Sequence, residues 1–358
     1  MRLQDYLDRF TRPSEILETD PDGSLHCLAC AHTCRIKPGQ RGICKLRFNQ
    51  DGELQVPWGY VSSLQVDPIE KKPFYHFLPG ADALTFGMLG CNFRCDYCQN
   101  WFTSQALREQ GTDSLVDYIQ AITPEELVEY GLRSGAEVVA SSYNEPLITS
   151  EWAHDIFIRA EKAGLKQVFV SNGFATHEVL DFLKPVLKGF KVDLKTMQPG
   201  HYRALGGQLE PVLDSIAYAF YQGFWVEIVT LLVPGFNDSP EELKEMAGFI
   251  HSVSPGIPWH VTAFRPDYKM RDRERTSYQQ ILAAVEIGYE EGLQYVYGGN
   301  LPGSLGKYEH TWCHNCQALL IKRLGFSIQQ YRITGDGTCP ECGTSIPGVW
   351  RNRSGSKG

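Results

Sequence analysis

The sequence predicts an α/β fold: a partial (βα)6-type parallel barrel with a small N-terminal Cys-rich segment and a C-terminal four-Cys metal ribbon. Three observations predict it. Apolar, β-branched-rich runs alternate with segments of helical periodicity through the middle of the chain, the pattern of βα units on a parallel sheet. The eleven cysteines divide without remainder into 27/30/34/44, 91/95/98 and 313/316/339/342. A chain of 358 residues accommodates one barrel of about 200–250 residues plus small additions. The expected boundaries are 1–80 for the Cys-rich segment and a strap, 81–305 for the barrel, 306–350 for a zinc-ribbon or rubredoxin-like domain, and 351–358 for a disordered tail.

The N-terminal set, Cys27-x2-Cys30-x3-Cys34-x9-Cys44, contains one clean knuckle, and Gly39 and Gly42 supply turns that let all four cysteines converge. Zinc and an auxiliary iron–sulfur cluster both suit it, with His32 as an alternative ligand. Zinc is the simpler expectation, because it would staple a segment too small to hold its own core. The stretch Asp67–Gly80 follows, with three prolines, a Glu-Lys-Lys cluster and four aromatic rings counting His76. It reads as a strap packed across the barrel mouth. The functional alternative turns Glu70, Lys71 or His76 toward a substrate.

Strands are expected at Ala83–Met88, Glu137–Ser141, Gln167–Ser171, Phe190–Leu194, Phe224–Leu231, Trp259–Ala263 and, less regularly, Gln294–Tyr297. Two helix starts are near duplicates. Thr123-Pro-Glu-Glu126 and Ser239-Pro-Glu-Glu242 each place a capping hydroxyl, a proline at the first helical position and a glutamate at the third. Six or seven such units suit an open barrel better than a closed eightfold one. Parallel barrels gather their chemistry on the loops after strand C-termini. The first such loop carries Cys91-Asn-Phe-Arg-Cys95-Asp-Tyr-Cys98.

Three thiolates are one short of the four that hold an ordinary iron–sulfur cluster, so a four-iron cluster on them keeps one iron open. They also make a poor structural zinc site, which takes four ligands. With Tyr97 before the last cysteine, the run resembles the signature of the radical S-adenosylmethionine (radical SAM) superfamily. The resemblance implies a [4Fe–4S] cluster on Cys91, Cys95 and Cys98 whose open iron chelates S-adenosylmethionine, with Tyr97 at the cofactor. It further implies reductive cleavage to a 5'-deoxyadenosyl radical that abstracts hydrogen from a protein, peptide or small-molecule substrate. An external flavodoxin- or ferredoxin-like protein would supply the electron.

Later strand ends continue the resemblance. Ser142-Tyr-Asn-Glu-Pro146 occupies the place of the superfamily's Gly-Gly-Glu-Pro stretch, with Tyr143 and Asn144 replacing the glycines; Asn144 and Glu145 still offer acceptors for an ammonium. Ser171-Asn172-Gly173 and Asp193-Leu-Lys195 resemble segments of pyruvate formate-lyase activating enzymes, although Val170 stands where those carry aspartate. By that resemblance Ser171, Asn172, Asp193 and Lys195 contact S-adenosylmethionine, Lys195 at its carboxylate. Val233–Asp238 resembles the activase turn after the fifth strand. Asp67–Gly80, Cys98-Gln-Asn-Trp101 and Gly299–Gly303 together resemble the AmmeMemoRadiSam-type branch, which implies a Memo- or AMME-type partner and names no substrate.

The C-terminal knuckles, Cys313-His-Asn-Cys316 and Cys339-Pro-Glu-Cys342, lie 22 residues apart and spell a tetrahedral four-sulfur ribbon. Zinc is expected, with rubredoxin-like iron the rival. The start Met1-Arg-Leu-Gln-Asp-Tyr6 does not read as a secretory leader, no apolar stretch spans a bilayer, and thiolate sites suit a reducing compartment, so a cytoplasmic protein is expected. A net charge of −8 with mixed signs argues against an extended nucleic-acid surface. Two other functions compete with general hydrogen abstraction: a glycyl-radical activating enzyme and a radical methyltransferase. A metal-ribbon interaction protein with a non-catalytic barrel is the reading from another class.

Overall fold

The computed structural model describes residues 1–351, so the tail expected at 351–358 lies, Arg351 apart, outside the described residues. Seven parallel strands form the centre: Asp82–Gly87, Val138–Ser141, Lys166–Ser171, Gly189–Asp193, Trp225–Leu232, Trp259–Ala263 and Val296–Gly299. Each pairs with its successor in sequence. A further strand, Ser63–Pro68, pairs antiparallel with the first, and the two edges of this eight-stranded sheet do not meet. The barrel is therefore open, as the unit count predicts. The seventh strand starts at Val296, two residues after the expected Gln294, because the ladder with Trp259 begins there.

Alternation along the strands separates two cores. Leu84, Phe86, Val139 and Phe169 pack outward with helix residues such as Leu127, Ile156 and Phe157. Ala83, Val138, Ala140 and Val168 face inward against Ile69, Phe74 and Phe77 of the strap. The two duplicate helix starts behave differently. Thr123 and Glu126 close a reciprocal capping box ahead of Pro124–Arg133. Ser239 caps Pro240–Val253, but the Glu242 side chain turns instead to Thr196 and to the Met197 N–H, 2.7 Å away. That glutamate anchors the loop after the fourth parallel strand.

The strap does not cross the mouth of the barrel. It seals the opposite end, where the strands begin. Phe74 and Phe77 lie against Gly189, at whose position a Cβ would stand 3.2 Å from each ring. The Tyr75 and His76 backbone N–H groups each donate to Glu227 at 2.9 Å, and His260 meets the same carboxylate at 2.7 Å. His76 is fully buried between the Pro347 carbonyl and the Tyr297 hydroxyl, both 2.7 Å away. Lys71 pairs with Asp67 at the surface, and a Glu70 oxygen accepts the Gly80 N–H at 2.9 Å. None of the three faces the cysteine loop. Prolines and rings that read as a lid serve as a plug, because the aromatic side chains fill the wide strand-start end of an open barrel.

The ribbon, with strands Thr311–Trp312, Leu319–Leu324 and Ser327–Tyr331, sits on that sealed end. Its core is continuous with Tyr75, Tyr295 and Tyr297. Buried Arg323 reaches from it to the Tyr75 carbonyl and the Thr311 hydroxyl, 2.8 Å each. The N-terminal segment lies at the other end. It forms two small three-stranded antiparallel sheets around a core of Leu25, Ala29, Ile36, Leu54 and Val56. That core is its own, contrary to the expectation of a coreless staple. Among the described residues no helix is long and apolar enough to cross a membrane.

Candidate active site

Strand ends become a site when the loops beyond them are cross-tied, and here the ties run through the predicted residues. Gly87 ends the first parallel strand, and a Cβ there would stand 2.6 Å from the Ser142 carbonyl. That close approach brings the cysteine loop against the loop after the second strand. Asn144 fixes the contact: its side-chain oxygen accepts the Met88 N–H at 3.0 Å, and its amide donates to the Glu145 carbonyl at 3.1 Å. Tyr143 holds a left-handed φ of +70°, a conformation glycine adopts freely. Its hydroxyl sits 3.1 Å from the Lys72 ammonium.

Glu145 is 3% exposed and ties the second strand end to the third. One carboxylate oxygen accepts from the Ser171 hydroxyl at 2.7 Å and the Leu147 N–H at 3.1 Å. The other accepts from the Asn172 N–H at 2.8 Å. Burial pushes this carboxyl up to about 7, and the Ser171, Asn172 and Leu147 donors pull it back. The sequence reading treats the Asn144 and Glu145 side chains as open acceptors for an ammonium. In the structure both side chains also tie together the loops that carry them. These bonds fix the backbone around the cysteine loop.

Asn172 closes the circuit. Its amide donates to the Asn92 side-chain oxygen at 2.7 Å and lies 3.9 Å from the Cys91 sulfur. Cys91 also accepts the Phe93 N–H at 3.3 Å, and Cys98 lies 3.2 Å from the Ser104 hydroxyl. Burial pushes the Cys95 thiol up to about 12 and raises Cys91 and Cys98 as well. Bound iron is what would hold such thiols as thiolates. Tyr97 is buried, its ring 5.6 Å from that of Phe236 in the Val233–Asp238 turn.

The fourth strand end supplies the charges. Asp193 pairs with Lys191 and, at 3.3 Å, with Lys195. Burial acts to raise the Asp193 carboxyl, but the two ammonium groups outweigh it and hold the carboxyl below the usual range. Burial would likewise lower the Lys195 ammonium; Asp193 and then Cys95 raise it, so it keeps its proton. The Lys195 backbone is clamped on both sides: its N–H donates to the Tyr202 hydroxyl at 3.1 Å, and its carbonyl accepts from Asn237 at 2.7 Å.

All ten predicted cofactor and cluster residues of the barrel thus stand at one end. Four further contributors escape the sequence reading. Asn92 lies inside the cysteine run, and Lys191 stands two residues before Asp193 on the same strand face, so period-two alternation could have found it. Asn237 lies within a turn already singled out. Tyr202 carries no sequence signal. The outer cysteines separate: the four ribbon sulfurs lie within 4.8 Å of one another, with contacts of 3.6 Å for Cys313–Cys342 and 3.7 Å for Cys316–Cys339. That gathering fits a single tetrahedral ion.

Comparison with known proteins bears on the site directly. The sequence model of the radical SAM superfamily matches residues 86–250, which run from the first parallel strand to the helix before the sixth. An uncharacterised protein of Methanocaldococcus jannaschii is 36% identical over 338 residues, covering 94% of this chain and 98% of its own. A protein of the same organism named as a glycyl-radical enzyme activating enzyme is 24% identical, covering 58% of this chain and 77% of its own. Among solved structures, a radical SAM methyltransferase from Sphaerobacter thermophilus aligns at 15% identity and a TM-score of 0.48, over 68% of this chain and 71% of that one. With its three-cysteine loop at the strand ends of an open parallel barrel, the chain belongs to the radical SAM superfamily and is an enzyme.

Proposed function

We propose that Cys91, Cys95 and Cys98 hold a [4Fe–4S] cluster whose open iron binds S-adenosylmethionine, with the Asp193–Lys195 pair beside it. The superfamily implies this cluster and this cofactor, and the donor set fits: three thiols on one loop, no fourth cysteine among them, and a charged pair next to Cys95. When bound, the cluster supplies an electron for cleavage of the sulfonium. The chain's own residues do the positioning. Lys195, held charged and clamped through its backbone by Tyr202 and Asn237, offers a compact cation to the cofactor carboxylate. Glu145, Ser171 and Asn172 lock the loops around the cysteine motif, and Tyr97, packed on Phe236, would contact the cofactor.

The observation that carries this reading is the continuous tie from Glu145 through Asn172 to Cys91, which joins three strand ends around the three-cysteine loop. The substrate is a carbon–hydrogen bond of a protein, peptide or small molecule. Relatives named as activating enzymes favour a glycine on a partner protein. A one-electron donor protein serves the cluster, zinc fills the ribbon, and a reducing cytoplasm suits all three thiolate sets. The units are read as 1–80, 81–305 and 306–350, with Ser63–Pro68 lent to the barrel sheet. The test is anaerobic reconstitution followed by assay of 5'-deoxyadenosine. The wild-type chain should release it; the Cys91/Cys95/Cys98 triple alanine variant should not, and equal release from both would overturn the assignment.

A further inference from the structure

The N-terminal cysteines lie against the proposed active site. The Ala31 N–H donates to the Phe174 carbonyl at 3.0 Å, the Thr176 hydroxyl bonds Leu28, and the Arg47 Nε donates to the Ile148 carbonyl at 2.9 Å. Tight turns bring the four sulfurs toward one place. Cys27 and Cys34 are joined by an N–H···O bond of 3.0 Å, and Lys45, next to Cys44, takes a left-handed φ of +69°. Three of the four cysteines are buried.

These four do not gather as the ribbon cysteines do. A tetrahedral ion with bonds of about 2.3 Å would draw its sulfurs to within about 4 Å of one another. Among the described residues, only the ribbon set has its ligand atoms mutually within 4.8 Å. A four-iron cluster places its cysteines around a core of iron and sulfide and so spaces them more widely. The surroundings point the same way. The Asn92 side-chain N–H is buried, makes no bond of full hydrogen-bond geometry, and is directed toward the Cys30 sulfur. Buried donors are ordinarily satisfied, and the acceptor this one is directed to is a sulfur of the four-cysteine set. Arg47, 1% exposed and ion-paired with Glu151, puts its guanidinium 3.8 Å from the Cys27 sulfur, a fixed cation that would favour thiolates in a metal-bound set. His32 turns one ring nitrogen to the Asn92 carbonyl at 3.1 Å and packs on Phe174, so Nε2 is committed away from the cysteines.

We propose that Cys27, Cys30, Cys34 and Cys44 bind a second iron–sulfur cluster, not zinc, and that Asn92 donates its side-chain N–H to a sulfur of it. Asn92 directly follows Cys91, and its oxygen shares the Asn172 amide with the Cys91 sulfur. One asparagine therefore stands between the two sites.

The test uses the full chain carrying Cys91→Ala, Cys95→Ala and Cys98→Ala, reconstituted anaerobically with ferrous iron and sulfide. It should retain about four sulfides per chain and give an electron paramagnetic resonance signal on reduction. This result stands whether or not the barrel cleaves S-adenosylmethionine, so the two proposals fail separately. Zinc without sulfide in that variant would overturn the second cluster. If the triple variant does not fold, the wild-type chain decides: about eight sulfides support the proposal and about four refute it, since a ribbon ion carries none. Asn92→Leu in the triple background should lower the midpoint potential of the remaining cluster, because a hydrogen bond to sulfur is lost. An unchanged potential would remove Asn92 from the proposal.

Discussion

The two four-cysteine sets have the same number of ligands and occupy opposite ends of one barrel. The ribbon set closes on itself, sulfur to sulfur, on the end sealed by the strap and its buried rings. The N-terminal set does not close in that way, meets the Asn92 amide through Cys30, and docks on the loops that frame the three-cysteine motif. A closed tetrahedron leaves no position for another ligand, so the ribbon contributes stability. The N-terminal set shares residues with the chemical end. Position in the fold, more than ligand count, assigns the roles.

The comparison breaks first, and most severely, at the cysteine loop. Replacing any one of Cys91, Cys95 or Cys98 by alanine should abolish cofactor cleavage while metal analysis still finds the ribbon ion. Loss of both together would mean that the two ends are not independent. At the sealed end, Arg323→Ala removes bonds to the Tyr75 carbonyl and Thr311 and a cation held 4.1 Å above the Tyr75 ring. The cost should be about 2–4 kcal/mol of stability, seen as a lower thermal midpoint with cleavage per folded molecule unchanged. Deleting 306–358 is the harsher version, since it would also uncover Tyr75, Tyr295 and Tyr297.

Acid should attack the same end. Burial lowers His76 to about 4 from the ordinary 6.5, although Glu227 opposes the shift. Between those values the unfolded chain binds more protons than the folded one, so stability rises with pH and is lost as pH falls from roughly 6.5 to 4. The full loss is on the order of 3 kcal/mol for this single group. Chemical denaturation at pH 7 and pH 4.5 should show the slope in the wild-type chain and a shallower one in His76→Gln. The smallest effect sharpens the chemical end: Lys195→Ala should weaken S-adenosylmethionine binding by roughly 1.5–3 kcal/mol without unfolding the chain. Titration at unchanged affinity would remove Lys195 from the cofactor site.

Much of this was legible in the sequence, for identifiable reasons. Covalent spacing alone puts Cys91, Cys95 and Cys98 on one loop and pairs Cys313 with Cys316 and Cys339 with Cys342, because knuckles are local structures. Strand positions follow from runs such as Gln167–Ser171 and Trp259–Ala263, whose apolar and β-branched residues suit a sheet covered on both faces. The strap could not be placed that way. Phe74 and Phe77 mark a segment that must be buried, but composition does not say against which end of the barrel. Only the pairing of the Tyr75 and His76 N–H groups with Glu227, some 150 residues away, decides it. The Asn144 and Glu145 side chains were open acceptors in the sequence and became structural ties for the same reason: their donors, Met88 and Ser171–Asn172, come from other strands. The sequence by itself determined the ligand types, their local spacing and the order of the strands. The tertiary structure decided which end each segment covers and which polar groups remain free, because hydrogen-bond partners and burial are set by residues far apart in the chain.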